Sequence, residues 1–342
     1  IVPPDPDATT YLVEIDERLG GENKFRTKLQ RVPFVIKQPG DTTISKDQVQ
    51  YVEKYINDVE EAIFAGNRMY EKYIDVDSFI DWYIVNEFFK NIDAAFYSSC
   101  FMYFSEGGKV HMGPVWDFDL SSGNVGYAGG DEVTGYRIRE ASWFEQLFKD
   151  ETFKVRAAVR FNEVEPLLRE LINEWIPKTQ EMLKISDATN SEIWPRRENI
   201  DWQGYKPKYT FDEEVKHFQN FLNEWMKWLV PNMQVTPDEI RIAIDALKND
   251  VTDEQTLAIE ALEKAYNALS DEDKTKVINY DKLAQAKAFI SMQPEQIVIG
   301  LIDMLPENVS TDYYDECVNI RNKYDDLKKS KKEAVYNYDK FV

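Results

Sequence analysis

Three aspartates flank a short hairpin pattern in the chain. Asp93 precedes the first predicted strand, residues 99–104, and a Glu-Gly-Gly turn follows that strand. Asp117 and Asp119 come after the second predicted strand, residues 109–115. Because the two ends of a hairpin lie side by side, we expect the three carboxylates to converge at one rim. Converging carboxylates bind a hard divalent cation, usually together with a substrate phosphate.

The neighbours of the paired aspartates favour a functional role. Trp116 and Phe118 alternate with Asp117 and Asp119, so a strand here would place both carboxylates on one polar face. Such an arrangement is costly unless a cation or a partner neutralises it. Two simpler alternatives stay open: Asp93 ends a helix and binds backbone amides, or the paired aspartates bind lysine or arginine at the surface.

Helices and strands are predicted ahead of this acidic rim. Ser45 and Gln48 have the spacing of a capping box, which predicts the start of a helix. Periodic apolar residues predict a second helix over residues 77–91. Residues 11–15 and 33–36 have the composition of short strands. The rim therefore follows a buried helix.

Glycines concentrate in the loop after the paired aspartates. Five of the chain's 14 glycines lie within 13 residues there: Gly123, Gly126, Gly129, Gly130 and Gly135. Backbone entropy disfavours a fixed element in such a segment, so we expect a mobile loop. Beside a charged rim it would gate substrate entry; the alternative is an ordinary surface insertion.

The overall charge limits the partners of the chain. It has 342 residues and a net charge of −21, which disfavours binding to nucleic acid or to anionic lipid. No apolar run reaches the roughly 18 residues needed to span a bilayer. The first residue, Ile1, favours a processed or cut fragment.

Cysteines and histidines give little sign of chemistry. Cys100 and Cys317 are predicted to be buried thiols. Together with His111 and His217 they do not make the usual ligand set of a structural zinc site. Neither histidine stands in the context of a catalytic triad, so both are predicted to be structural.

A change in composition near Pro231 predicts a domain boundary. All eight tryptophans precede Pro231, and the remainder is rich in Ala, Lys, Asp and Glu at helical spacing. The first domain is therefore predicted to cover residues 1–231.

The remainder repeats itself. A shift of 58 positions places Tyr266 on Tyr324 and the Asn-Tyr-Asp-Lys run that starts at Asn279 on the one that starts at Asn337. Such a period predicts tandem modules, residues 236–293 and 294–342, each a three-helix bundle in which a third helix begins after Ser270 or its equivalent. They resemble short acidic helical repeats of secreted or wall-attached bacterial proteins.

The first domain resembles a known family. Asn91-Ile-Asp93 followed by Trp116-Asp-Phe-Asp119 is similar to the Asn-x-Asp and Trp-Asp-x-Asp segments of the spore coat protein H (CotH) kinase-like family. The Tyr-Leu-Val-Glu run that starts at Tyr11 and the Trp-Phe-x-x-Leu-Phe run of residues 143–148 support the resemblance, which covers residues 8–230.

The resemblance implies a fold and an activity. The fold is α+β and mostly helical, with an atypical protein-kinase-like larger lobe followed by the two helical repeats. The activity is phosphoryl transfer from ATP to serine of a coat or surface protein, with Mg²⁺ and ATP as cofactors. Asp93 takes the place of the catalytic-loop aspartate, and Asp117 and Asp119 take the magnesium-binding place. A bacterial extracellular, cell-surface or coat location follows, with surface or coat partners for the repeats.

Two departures from the family pattern bear on activity. Ser98 and Ser99 stand where the family tends to place an asparagine as second metal ligand. A kinase-like fold also needs a smaller lobe with a phosphate-binding lysine, and only about ten residues precede Tyr11. The chain is therefore expected to hold the magnesium-site lobe and to lack most of the nucleotide-covering lobe.

Three classes of function stay open on the sequence alone. The first is a magnesium-dependent kinase. The second is a surface or structural binding protein that keeps the fold without turnover. The third is a glycoside hydrolase that uses two carboxylates, in keeping with an acidic domain rich in aromatic residues.

Overall fold

A computed structural model of the protein describes residues 9–194, 210–248 and 252–341. The chain divides into two compact units, Ile1–Gln234 and Val235–Val342, called here the first and the second unit. The first unit combines a small antiparallel sheet with packed helices, and every regular element in the described residues of the second unit is a helix. The prediction of an α+β, mostly helical chain is therefore confirmed.

The sheet of the first unit has five strands in the order β2-β3-β1-β4-β5, and all neighbours are antiparallel. The strands are β1 (Thr10–Ile15), β2 (Lys24–Arg26), β3 (Pro33–Gln38), β4 (Cys100–Ser105) and β5 (His111–Met112). In β1 the side chains of Tyr11, Val13 and Ile15 are fully buried, as alternation requires. The two strands predicted from residues 11–15 and 33–36 are confirmed.

The hairpin of β4 and β5 forms, but its second strand is short. Met102 pairs with Met112, and the Gly113 N–H still donates to the Phe101 carbonyl at 2.8 Å. Pro114 follows and has no N–H to continue the ladder. The strand predicted over residues 109–115 is therefore wrong beyond Met112. Alternation does not orient the paired aspartates, because Asp117 lies in a loop with a φ of 60°.

The described part of the first unit also has a 3₁₀ helix (Met69–Lys72), a π-helical segment (Leu171–Trp175) and six α-helices: α1 (Lys46–Phe64), α2 (Val76–Phe88), α3 (Ser142–Leu147), α4 (Glu151–Glu170), α5 (Ile176–Ile193) and α6 (Phe211–Asn232). The capping box of Ser45 and Gln48 is present at the start of α1, as predicted. Helix α2 ends three residues earlier than predicted, because Lys90 has a φ of 49° and leaves the helical conformation. Asn91 and Asp93 consequently lie in an irregular segment beyond α2.

An aromatic core holds these elements together. Its largest fully buried side chains include Tyr11, Phe34, Phe79, Tyr83, Phe88, Phe104, Trp143, Phe144, Phe153, Phe161 and Trp225. Buried carboxylates inside this core have partners: Glu60 accepts a hydrogen bond from the Trp143 indole at 3.0 Å and from the Leu29 N–H at 2.9 Å. Because side chains of this size pack without freedom, the core fixes the end of α2 against the sheet.

Helices of the second unit are α7 (Pro237–Asp245), α8 (Asp253–Ala268), α9 (Asp271–Lys274), α10 (Tyr280–Ile290), α11 (Pro294–Met304), α12 (Tyr314–Asp325) and α13 (Lys329–Lys332). The single third helix predicted after Ser270 is wrong, because two helices, α9 and α10, stand in its place. The Asn279 side chain, just before α10, donates to the Arg241 carbonyl of α7 at 2.8 Å. The division of this unit into modules 236–293 and 294–342 stays a prediction.

Three smaller predictions can be compared with the structure. Cys100 is a buried free thiol, as predicted, whereas Cys317 is free but partly exposed. His111 stacks on the Tyr103 ring with centroids 5.0 Å apart. Among the helices that the structure describes, none has the length and apolar character needed to cross a membrane.

Candidate active site

Two irregular segments meet beyond the end of α2, and hydrogen bonds hold them together. The Asn91 side-chain amide donates to the Asp117 carbonyl at 3.0 Å, and the Ile92 N–H donates to the Leu120 carbonyl at 3.0 Å. The Ser122 N–H donates to the Phe89 carbonyl at 2.7 Å. Hydrogen bonds between residues 89–92 and 117–122 therefore hold together the two segments that carry the aspartates, in addition to the hairpin.

Two neighbouring serines connect the hairpin to the acids. The Ser98 hydroxyl donates to Asp93 Oδ2 at 3.0 Å, and the Asp93 carbonyl accepts the N–H groups of Tyr97 and Ser98. The Ser99 hydroxyl donates to Asp117 Oδ2 at 3.3 Å. Each hydroxyl orients a carboxylate.

Asp117 and Asp119 form a close pair of carboxyl groups. Both residues are exposed. Desolvation by the surrounding loop raises the pKa of Asp119, and hydrogen bonding with Asp117 and the charges of Asp117 and Asp93 raise it further. Within the described ranges no lysine or arginine forms a salt bridge with any of the three aspartates. Pairing with surface bases, one of the alternatives above, is therefore not observed there.

The arrangement fits a cation that shares its ligands with a phosphate. In the part of the chain that the structure describes, no three His, Cys, Asp or Glu side chains are placed to hold a metal ion by themselves. The structure thus brings Asp117 and Asp119 together, with Asp93 in electrostatic range, and does not build a three-carboxylate cage. Magnesium commonly needs only one or two carboxylates when phosphate oxygens and water complete its octahedron.

Backbone conformations that non-glycine residues rarely adopt cluster around these acids. Lys90, Phe96, Ser99, Asp117 and Ser122 all have φ between 49° and 62°. Each such conformation costs free energy, roughly 1–3 kcal/mol, and persists only where the surroundings impose it. Backbone strain of this kind is common at active sites, so it supports a functional role for the segments that carry the three aspartates.

The glycine-rich loop after Asp119 is anchored to the last turns of α2. Glu87, which is buried, accepts the N–H groups of Arg137, Ile138 and Arg139 at 2.7, 2.9 and 2.9 Å. Burial raises the pKa of Glu87, and the three N–H donors oppose that shift. The Lys90 ammonium donates to the carbonyls of Glu132 and Thr134, at 2.6 and 2.8 Å. Glu87 lies in the last turn of α2 and Lys90 lies two residues beyond its end, so the loop is tied to the segment that leads to Asp93.

At two positions of the loop, close packing against neighbouring side chains leaves no space for a residue larger than glycine. A Cβ atom at Gly123 would lie 2.6 Å from the Phe221 ring, and φ at Gly123 is 82°. A Cβ atom at Gly130 would collide with Val125. Both positions require glycine for contact reasons. The predicted gating role of the loop stays a prediction.

Arg137 is the residue at this site that sequence reasoning missed. Its guanidinium Nη2 donates to the Ile92 carbonyl at 3.1 Å, one residue from Asp93. Burial lowers the pKa of Arg137, and the negative charges of Glu87 and Asp93 oppose that lowering. A single arginine after a glycine-rich loop belongs to no motif with a recognisable spacing. Its partners, Glu87 and Ile92, lie some 45 to 50 positions earlier in the chain, so no local pattern predicts its place at the site.

A cavity of about 300 Å³ adjoins Asp119. It is lined by Phe118, Asp119, Ser121, Ser122, Asn124, Glu214, Val215, His217 and Phe218. Loop 118–124 and the first turns of α6 form its walls, so Asp119 lines this space as well as interacting with Asp117.

The fold and the site define an α+β protein with a carboxylate pair and a separate aspartate held at the end of a buried helix. A family model described as CotH kinase protein matches residues 7–229. The chain therefore belongs to the CotH kinase family. Comparison with curated proteins finds no match, and comparison with solved structures finds none.

Proposed function

We propose that the protein transfers a phosphoryl group from ATP to a serine hydroxyl in a magnesium-dependent reaction. The observation that carries this proposal is the junction of residues 89–92 with residues 117–122, together with the Asp117–Asp119 pair, where the charge of Asp93 acts on Asp119. Membership of a kinase family supports the use of ATP and a divalent metal. Such a reaction depends on positioning and on neutralising phosphate charge, and both need carboxylates in this arrangement.

Each acid has a distinct role in the proposed reaction. Asp117 and Asp119 hold the cation, which supplies the positive charge that phosphate oxygens need. Asp93 orients the acceptor serine and accepts its proton as the new oxygen–phosphorus bond forms and ADP leaves. Ser98 orients the Asp93 carboxylate through its hydrogen bond at 3.0 Å.

The acceptor and the location rest on the family alone. Membership of the CotH family favours a bacterial coat or surface protein as the substrate, and an extracellular or coat-associated location. The helical second unit would then bind surface or coat partners.

Thermal unfolding and phosphate transfer test the proposal together. Magnesium with ATP should raise the Tm of the wild-type chain, because a ligand that binds the folded state stabilises it by mass action. Asp117→Asn and Asp119→Asn should lose most of that increase. Asp93→Asn should keep it and should lower transfer of labelled phosphate to a serine-containing peptide library by about 10²- to 10⁴-fold.

Asp58→Asn is the matched control, since Asp58 is a surface carboxylate of α1 that pairs with Lys54. Its Tm increase and transfer rate should equal those of the wild type. A wild-type chain whose Tm is insensitive to magnesium with ATP would contradict the proposal.

The second candidate is a binding protein that keeps the fold without turnover. The Ser99 hydroxyl favours it, because it contacts Asp117 at the position where the family tends to supply an asparagine ligand. A hydroxyl is a weaker magnesium ligand than an amide oxygen. Magnesium and ATP binding without phosphate transfer would support this candidate over the kinase.

A further inference from the structure

Arg137 has a main chain held by a hydrogen bond and a guanidinium whose N–H donors are not all paired. Its N–H binds the buried Glu87 carboxylate at 2.7 Å, so the main chain is anchored independently of the side chain. The guanidinium makes one hydrogen bond, from Nη2 to the Ile92 carbonyl. Nε is buried and has no partner. A buried donor without a partner is uncommon, so it points to a ligand that the side chain is built to receive.

The position of Arg137 identifies the kind of ligand. Its bond to Ile92 places the guanidinium one residue from Asp93, and the charge of Asp93 acts on it. No carboxylate of the described residues forms a salt bridge with Arg137. A guanidinium keeps its charge and presents several N–H donors in a planar fork that matches phosphate oxygens. Beside acids that bind a cation, the missing anion is a phosphate.

We propose that Arg137 binds the phosphoryl group that is transferred, next to Asp93. This inference rests on the proposed function. The transferred group carries charge on three oxygens in the transition state, so a cation fixed beside Asp93 complements the metal held by the carboxylate pair. Arg137 is then a catalytic residue of the larger lobe.

Other basic residues near the site are less suited to this role. Arg18, whose pKa the Asp93 charge also raises, has a side chain that is 69 % exposed and hydrogen bonded to Asp16. The Lys90 ammonium is buried and already donates to two carbonyls, while it also lies 4.7 Å from the centre of the Trp225 ring. Arg137 is the better placed of the three.

Binding of tripolyphosphate tests the inference apart from catalysis. In the full chain with magnesium, Arg137→Gln should weaken the affinity for tripolyphosphate and for ATP by roughly 10- to 100-fold, as measured by calorimetry. Arg137→Lys should recover part of the affinity, because an ammonium keeps the charge and loses the fork. The kcat of phosphate transfer should fall in the same order. Glu87 binds the main chain of residue 137, so both variants should keep the fold.

Arg139→Gln is the control, because it changes the same charge two residues away. The Arg139 guanidinium packs on the rings of Tyr136 and Phe148, at 4.6 and 4.7 Å, and its N–H also binds Glu87. Its affinity for tripolyphosphate should match the wild type.

Two outcomes would overturn the inference, and they are distinguishable. If the wild type binds magnesium with ATP and transfers phosphate while Arg137→Gln does both equally well, the inference fails and the proposed function stands. If the wild type binds neither ATP nor tripolyphosphate, both fail.

Discussion

At the scale of single residues, the site depends on which groups hold the three aspartates. Ser98 and Ser99 are adjacent in sequence, yet one hydroxyl contacts Asp93 and the other contacts Asp117. Ser99 achieves this with a φ of 58°, which turns the chain at the start of β4. The two serines therefore link the acid proposed for catalysis to the acid proposed for metal binding.

The raised pKa of Asp119 predicts pH-dependent magnesium binding. A carboxyl group with a raised pKa in the folded state contributes stability that is complete below its ordinary pKa and is lost as pH rises through the raised value. The loss arises from partial desolvation and from repulsion by Asp117, and a bound cation would reverse it. The increase in Tm caused by magnesium should therefore be small in acid and should grow as pH rises.

Scanning calorimetry with and without magnesium, from about pH 3.5 to 7, measures this effect. Asp117→Asn removes the neighbouring charge, so the remaining rise in stability with magnesium should be weaker and should begin at lower pH. An increase in Tm that is equal at every pH would show that Asp119 does not bind the ion.

At the scale of elements, the last turns of α2 organise the site. Glu87 anchors the far end of the glycine-rich loop, Phe89 binds its near end through Ser122, and Asn91 binds the Asp117 carbonyl. One helix end therefore positions both acidic segments and Arg137. The packing of Trp225 on this turn, with its indole donating to the Glu87 carbonyl at 3.2 Å, ties α6 to the same place.

Glu87→Gln tests this anchoring. A glutamine offers one acceptor oxygen where the carboxylate offers two, so at least one of the three N–H donors would lose its partner. The free energy of unfolding should fall by about 1–3 kcal/mol, as measured by urea titration. Amide exchange should accelerate at residues 137–139. Glu61→Gln, at an exposed position of α1, should change stability by less than about 0.5 kcal/mol.

The sequence predicts the elements of this region better than the contacts between them. Strands β1, β3 and β4, the capping box at Ser45 and the hairpin follow local rules and were predictable, whereas the short strand β2 was not predicted. The hairpin predicts that three carboxylates converge; the described residues show the Asp117–Asp119 pair and no group of three acids placed to hold a metal. Hydrogen bonds of Asn91 and Phe89 with the second segment hold the two segments together. The roles of Glu87 and Arg137 depend on residues about 50 positions apart, and no local pattern signals such a pair.

At the scale of the whole molecule, equivalent contacts recur along the second unit. Asn279 donates to the Arg241 carbonyl and to Asp245, both at 2.8 Å. Asn337, 58 positions later, makes the equivalent bonds to Ile299 and Asp303 at 2.9 and 3.0 Å.

The ring stacks of the second unit recur at the same interval. Tyr266 stacks on Tyr280 with centroids 4.0 Å apart, and Tyr324 stacks on Tyr338 with centroids 3.7 Å apart. The 58-residue period was visible in the sequence. The break between α9 and α10 was not predicted from it.

Substitutions that remove these recurring bonds test the prediction that the second unit consists of two modules, residues 236–293 and 294–342. Asn279→Ala and Asn337→Ala each remove a donor to a helix carbonyl and to an aspartate, so each should lower the stability of isolated residues 235–342 by about 1–2 kcal/mol in urea. Asn322→Ala, at an exposed position of α12, should leave the free energy of unfolding almost unchanged.

If the modules unfold independently, each substitution should shift only one of two unfolding transitions, and the double variant should show the sum of the two stability losses. A single transition that both substitutions shift together would mean that residues 235–342 form one cooperative domain, and the boundary near residue 293 would then be wrong.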